Sequence, residues 1–118
     1  MAEIHVLFPK QGGVFIHNDE KPALQGEFIH WHIHSLNSRI EKVKIRFDNS
    51  GAGYFPVNGE LTNSIEKPFR NGSTIWGQAP VYGKVMQRRD KYTVTALDRK
   101  GKSVAELDPE IIVDKPRR

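Results

Sequence analysis

Cysteine is absent from this 118-residue sequence. A chain without thiols forms no disulfide and offers no thiol nucleophile, and it cannot hold an iron–sulfur cluster or a zinc ion through cysteine. A type 1 copper centre is also excluded, because such a centre needs a cysteine thiolate. The absence is compatible with the reducing cytosol, although it does not require that compartment.

Long apolar runs are missing as well. No stretch approaches the ~20 consecutive apolar residues that a membrane-spanning helix needs. The first ten residues lack the basic start and the longer apolar run of a secretory signal peptide, since Glu3 comes early and Pro9 ends the apolar run. We therefore expect a cytoplasmic protein without a membrane partner.

The chain shows no sustained helical period. Alternation of apolar and polar residues recurs instead, interrupted by Gly, Pro, Asn and Asp, which is typical of short strands joined by turns. The predicted strands cover residues 4–8, 14–17, 27–35, 41–47, 60–65, 73–76, 91–97, 103–107 and 111–113. This pattern predicts an all-β fold, a Greek-key β-sandwich of seven to nine short strands in one domain over residues 1–114. Residues 115–118 form a basic tail, which supplies much of the formal net charge of +4.

Three segments follow one another in a familiar order. An alternating strand with a tryptophan (28–34) precedes a middle rich in glycine and aromatic residues, and a tyrosine strand, a turn and the segment 107–113 close the chain. That order resembles small bacterial cupredoxin-like β-sandwich proteins that have lost the copper site. The resemblance covers about residues 28–113 and implies a fold rather than a function. A copper-binding member would carry Cys and His or Met in its C-terminal loop, whereas residues 98–102 contain none of these. An immunoglobulin-like topology fits almost as well and stays open.

The sharpest candidate for a site is the histidine triplet of the strand 27–35. His30, His32 and His34 share one face, with neighbouring residues of that face about 6.5–7 Å apart along the backbone. Two such imidazoles can converge on a Zn, Cu or Ni ion, whereas the third lies about 13 Å from the first and joins only if the strand bends. A further ligand would come from another segment; the candidates are His5, His17, Asp48 and Glu60. The simpler interpretation is a polar, solvent-facing side of a half-buried strand.

A second hypothesis concerns the cations of the strand 41–47. If the strands 27–35 and 41–47 form a hairpin, the three histidines lie opposite Lys42, Lys44 and Arg46. Fixed cations would disfavour a metal ion there, and the face would instead bind an anion such as a phosphate, a carboxylate or a nucleic-acid backbone. If the two strands belong to different sheets, this conflict disappears.

The large aromatic residues divide into core and surface candidates. Trp31 lies between two isoleucines on one strand face, so we predict that it is buried. Trp76 follows in a stretch rich in glycine, where an exposed stacking role competes with the simpler core assignment. Together with Trp76, three further aromatic residues could line a pocket at one end of the sandwich: Tyr54, Phe55 and Phe69.

A basic cluster surrounds Asp90. Its members are Lys84, Arg88, Arg89 and Lys91. The cluster is weakly similar to a nucleic-acid surface, yet no recognised nucleic-acid motif accompanies it, and a basic edge strand is the commoner explanation.

Catalytic motifs are absent too, including the nucleophile elbow, the phosphate-binding loops and the HExxH zinc motif. We therefore expect a non-catalytic binding or assembly module that engages a protein partner or a second copy of itself. The predicted partner-binding residues are Phe28, Lys42, Lys44, Arg46 and Trp76. Metal binding through His30, His32 and His34 is the alternative, and binding of nucleic acid or another polyanion is the third hypothesis.

Overall fold

The structure is a computed structural model that describes residues 2–18, 23–48, 53–69, 74–81 and 87–114. These residues form twelve strands and no helix, which confirms the all-β prediction. The strands are β1 (Ala2–Phe8), β2 (Phe15–Asn18), β3 (Ala23–Leu24), β4 (Phe28–Ser35), β5 (Lys42–Phe47), β6 (Phe55–Val57), β7 (Glu60–Thr62), β8 (Ser64–Pro68), β9 (Thr74–Gln78), β10 (Gln87–Leu97), β11 (Ser103–Leu107) and β12 (Glu110–Asp114). The number exceeds the predicted seven to nine because several short strands, such as β3 and β6, carry no alternation long enough to be recognised.

Two mixed sheets form the sandwich. The first sheet has the order β2-β1-β4-β9, and the second has the order β3-β12-β10-β5-β8, with β11 also paired to β10. Most neighbours are antiparallel, but β1 pairs with β4 in parallel, and β3 pairs with β12 in parallel. The chain therefore leaves the first sheet after β2, contributes β3 to the second sheet and returns as β4. None of the described residues forms a helix that could cross a lipid bilayer.

Strand alternation builds the core between the two sheets. In β4, Ile29, Trp31 and Ile33 are buried while the residues between them face outward. The Trp31 side chain is fully buried, as predicted, and its ring lies 5.5 Å from Phe55 and 5.9 Å from Tyr92 between ring centroids. Burial of an indole of this size contributes several kcal/mol to folding, about 3–5 kcal/mol by the usual cost of truncation.

Gly77 makes room for the buried indole. It lies on β9 opposite Ile29 and faces the core. A Cβ atom at this position would lie 2.9 Å from the ring of Trp31 and 2.9 Å from the carbonyl oxygen of Tyr54. Because the second of these atoms belongs to the backbone, the clash cannot be relieved by a side-chain rotation alone. A residue without a side chain is therefore required at position 77 for Trp31 to pack in the core.

The other aromatic residues do not line one pocket. Tyr54 and Phe55 are buried in the core, where Tyr54 stacks on Phe47 with ring centroids 3.7 Å apart. Trp76 points to the other side of its strand and is 44% exposed, so the core assignment for this residue is wrong. Phe69 is partly buried and packs against the core. The alternation of β9 explains the split, because Ile75 and Gly77 take the two inward positions.

Candidate functional site

The outward side of the first sheet collects the candidate residues. In the parallel register, Glu3 lies beside His30, and His5 lies beside His32. On the other edge of β1, the antiparallel strand β2 places His17 opposite His5. We call this surface the histidine face; its outward residues are Glu3, His5 and Leu7 on β1, Phe15 and His17 on β2, Phe28, His30, His32 and His34 on β4, and Thr74, Trp76 and Gln78 on β9. All five histidines of the chain lie on it.

The histidine face is almost free of fixed charge. Glu3 is the one Asp, Glu, Lys or Arg residue in the four strands of the first sheet. The apolar rings of the face are well exposed, with Phe15 at 66% and Phe28 at 56% of their full accessible area. A solvated sheet face usually carries polar and charged side chains, so exposed rings with a single fixed charge set this face apart from an ordinary solvated sheet.

The rings on this face contact one another in a continuous series. Trp76 stacks on His30 with ring centroids 3.7 Å apart, and His30 lies 4.1 Å from His32. His5 then stacks on His32 at 4.7 Å and approaches His34 at 5.9 Å. Strand spacing of about 4.8 Å explains the stacking, because it matches the separation of flat rings on neighbouring strands.

Three potential metal ligands converge within this series. Glu3, His30 and His32 each offer one donor atom, and these atoms all lie within 4.8 Å of one another. The Nε2 atom of His32 lies 3.4 Å from Oε1 of Glu3. The Nε2 atom of His30 is buried and has no hydrogen-bond partner among the described residues. Of the three histidines predicted as ligands, two belong to this group, while His34 lies beside His5 instead.

The suggested additional ligands lie in different places. His5 contacts His32, and His17 is the neighbour of His5 on β2, so both share the histidine face. Asp48 follows β5 in the second sheet, and Glu60 begins β7, so these two carboxylates lie on other elements. Among the described residues, Glu3 takes the position that we had expected one of them to fill.

Burial keeps His30 uncharged. Loss of solvent around its ring lowers the pKa of His30 below the ordinary value of 6.5, and the neighbouring His32 and His5 lower it further, while Glu3 acts in the opposite direction. At pH 7 His30 is therefore a neutral imidazole, with one ring nitrogen carrying a free lone pair. Neutral imidazole is the form that stacks without charge repulsion and the form that binds metals.

The hairpin that would place the histidine strand beside the lysine strand is not formed, and the alternative, with the two strands in different sheets, is the one observed. β4 belongs to the first sheet and β5 to the second, so the histidines and the cations face away from each other on opposite sides of the sandwich. The hypothesis of one cationic face that unites His30, His32 and His34 with Lys42, Lys44 and Arg46 is therefore wrong. Phe28 and Trp76 lie on the histidine face, apart from those three cations.

The outer side of the second sheet mixes both signs of charge. Lys44 has Glu66 as its neighbour on β8 and Thr95 on β10, and the Thr95 hydroxyl lies 3.4 Å from a carboxylate oxygen of Glu106. Arg46 has Thr93 as its neighbour, and that hydroxyl donates to Asp108 at 2.8 Å. Carboxylates beside each cation weaken the attraction for a free anion.

The described part of the basic cluster is also charge-paired. Arg88 donates from Nε to the buried carboxylate of Asp90 at 3.0 Å, and the hydroxyl of Tyr54 donates to the same carboxylate. Arg89 contacts Glu110 at 2.9 Å, and Lys91 is a register neighbour of Glu110. These pairs connect β10 to β12 and to the core, so the described part of the basic cluster has a structural role. Lys84 and the tail 115–118 lie outside the described residues.

Sequence reasoning named His5 and His17 but missed the other residues that β1 and β2 contribute to the site. Glu3, Leu7 and Phe15 were not among the predicted site residues, although the alternation Glu3-x-His5-x-Leu7 carries the same pattern as β4. No protein-family model matches the chain, and no curated protein matches it either. Geometry and chemistry therefore carry the functional interpretation.

Proposed function

We propose that the protein is a non-catalytic assembly module that binds a second copy of itself through the histidine face. The observation that carries this proposal is the combination of exposed rings with a single fixed charge on one sheet surface. Aromatic residues are enriched at protein interfaces, whereas Lys, Glu and Asp are depleted there. The surface has the composition of an interface core rather than that of a solvated sheet.

A second copy is the partner that the charge distribution favours. In a two-fold symmetric contact the same patch meets itself, so a patch rich in charges of one sign would face an equal set of like charges. The chain carries a net charge of +4, yet none of its lysines or arginines lies in the strands of the first sheet. The histidine face therefore meets itself with Glu3 as the one fixed charge that each copy brings from its strands.

The size of the face sets the expected affinity. The four strands are four to eight residues long. At a spacing of about 4.8 Å they present a flat footprint of at most roughly 20 by 25 Å. This footprint is smaller than the ~800 Å² that each partner buries in a standard interface. We therefore expect a weak dimer with a dissociation constant on the order of micromolar, whose population rises with protein concentration.

Sedimentation velocity over a range of concentrations tests the proposal. Phe28 is exposed, so Phe28→Lys places a cation in the interface without disturbing the core, and we expect this variant to stay monomeric at 13.5 kDa. Leu61→Lys is the matched control, because it adds the same charge at an exposed leucine of β7, outside the first sheet. A wild-type chain that stays monomeric at every concentration, or a control that dissociates equally, would overturn the proposal.

We also propose that the fold is cupredoxin-like rather than immunoglobulin-like. The parallel pairs β1–β4 and β3–β12 support this assignment, because the immunoglobulin sandwich is described by two antiparallel sheets. Inter-strand backbone contacts between Ile4 and Trp31 in an NMR spectrum would test the parallel register. The cytoplasm remains the predicted location, since a chain without cysteine does not depend on an oxidising compartment.

A further inference from the structure

We propose that Glu3, His30 and His32 form a binding site for a divalent first-row transition metal ion, with Zn²⁺ as the leading candidate. The observation is the convergence of two imidazoles and one carboxylate whose donor atoms lie within 4.8 Å of one another. All three ligands belong to one chain, so the site does not depend on the proposed self-association.

The strand register explains why these three side chains meet. His30 and His32 are two residues apart on β4 and therefore share a face. Glu3 is the parallel neighbour of His30 on β1, and its carboxylate reaches diagonally towards His32. The glutamate side chain is long enough to cross the spacing between two strands, so its carboxylate can lie between the two imidazoles of the neighbouring strand. The pattern is thus produced by backbone pairing rather than by a flexible loop.

The distances suit a tetrahedral ion. Metal–ligand bonds of about 2.0–2.1 Å in tetrahedral geometry place neighbouring ligand atoms about 3.3 Å apart. The separation between Nε2 of His32 and Oε1 of Glu3 is 3.4 Å. The remaining separations, of up to 4.8 Å, close through side-chain rotation on an exposed surface. Glu3 is about half exposed, so its carboxylate has the freedom to adjust.

An unsatisfied nitrogen gives a second, independent indication. The Nε2 atom of His30 is buried beneath its neighbours and has no hydrogen-bond partner among the described residues. A buried polar atom without a partner is unfavourable and calls for an explanation such as an ion. A ring already fixed by the stacked Trp76 needs little further ordering when it binds a metal.

The donor set decides which ions fit. Two nitrogens and one carboxylate oxygen suit Zn²⁺, Cu²⁺ and Ni²⁺, whereas Mg²⁺ and Ca²⁺ prefer sites built from oxygen alone. Three protein ligands fill three of the four tetrahedral positions. A water molecule can take the fourth position, because the histidine face is open to solvent. The site is therefore expected to bind and exchange its ion rather than to enclose it.

Titration of the untagged full chain with Co²⁺, read by visible absorption and followed by displacement with Zn²⁺, tests the site. Glu3→Gln and His32→Gln each remove one ligand, and we expect the Co²⁺ and Zn²⁺ dissociation constants to rise at least about tenfold, since even outer-shell changes at metal sites cost 10–100-fold. His34→Gln and His17→Gln are the matched controls, because they lie on the same face outside the donor group, and their affinities should stay at the wild-type value.

Two results would overturn the metal site. One is the absence of Co²⁺ and Zn²⁺ binding at millimolar metal; the other is an equal loss of affinity in His34→Gln and His32→Gln, which would mean diffuse binding to the histidine face. Sedimentation of the same samples separates this proposal from self-association. The Phe28→Lys variant should still bind Zn²⁺ as a monomer, somewhat more weakly than the wild type because the added cation lies two residues from His30. Complete loss of binding in that monomer would contradict a site held by one chain.

Discussion

The outer faces of the two sheets obey the same alternation rule and yet differ sharply in chemistry. The strands of the first sheet contain one Asp, Glu, Lys or Arg residue, whereas those of the second sheet contain twelve. Lys44 beside Glu66 is typical of the second sheet, and His5 stacked on His32 is typical of the first. Folding requires apolar residues only at the inward-facing positions of each strand, so the residues at the outward-facing positions are free to differ between the two sheets.

The comparison separates a charged, solvated surface from the surface that we propose for binding. Cations and carboxylates alternate across the second sheet, where each pair contributes little stability but keeps the surface hydrated. The histidine face has exposed Phe and Trp rings and a single fixed charge, and apolar rings are better buried than left in water. Perturbing each face, and the core they share, should therefore have different consequences.

The largest effect should come from the shared core. Trp31→Ala removes the side chain that both sheets contact, and we expect a loss of about 3–5 kcal/mol of unfolding free energy. Trp76→Ala removes an indole of the same size from the histidine face and should cost less than about 1 kcal/mol. Urea unfolding of the two variants measures the contrast. Equal losses of unfolding free energy would show that the two tryptophans do not lie on opposite faces of the first sheet.

The core should also lose stability at alkaline pH. Burial raises the pKa of Tyr92 to about 12, although the indole of Trp31, which lies 3.4 Å from its hydroxyl and donates to it, acts in the opposite direction. Because the folded pKa lies above the unfolded value of 10.0, the neutral phenol contributes fully below pH 10 and its contribution is lost as the pH rises towards 12.

Between pH 10 and 12 the wild-type chain should lose on the order of 2–3 kcal/mol more than Tyr92→Phe. Urea unfolding of both proteins at pH 8 and at pH 11.5 measures this difference. The variant isolates Tyr92, since lysines and the remaining tyrosines titrate in both proteins. Parallel stability losses in the two proteins would exclude a buried, neutral Tyr92.

The smallest effect should come from the second sheet. Lys44→Glu brings a third carboxylate near Glu66 and Glu106, so we expect a destabilisation of up to about 1 kcal/mol that shrinks as salt is added. The same variant should leave self-association and Zn²⁺ binding unchanged, because residue 44 lies on the opposite side of the sandwich from the histidine face. A weaker dimer in Lys44→Glu would remove the distinction between the two faces.

The inward pattern of the sheets could be read from the sequence, but the pairing of strands could not. Alternation in residues 28–35 correctly places Trp31 inside and the imidazoles outside. The parallel partner of this strand is β1, and alternation carries no information about which distant strand lies alongside or in which direction. Glu3 was missed as a candidate ligand for this reason.

The connection after β4 explains why β4 and β5 do not form a hairpin. The backbone N–H of Asn37 donates to the hydroxyl of Ser35, and the side chain of Asn37 accepts from the backbone of Arg39, so the chain turns locally. The N–H of Leu36 also donates to the carbonyl of Phe8, which holds the end of β4 against β1. These contacts direct the chain to the other sheet, and they are encoded by turn chemistry rather than by strand alternation.

The most direct test of the account is the salt dependence of self-association. An interface made of aromatic rings with a single fixed charge should dimerise as tightly in 1 M NaCl as in 50 mM NaCl, or more tightly, when the dimerisation constant is measured by sedimentation equilibrium at pH 7.5. The Debye length falls to about 3 Å in 1 M salt, which screens interactions between charges and leaves apolar contacts in place. A dimer that dissociates at high salt, or a chain that is monomeric in both, would contradict the role assigned to the histidine face.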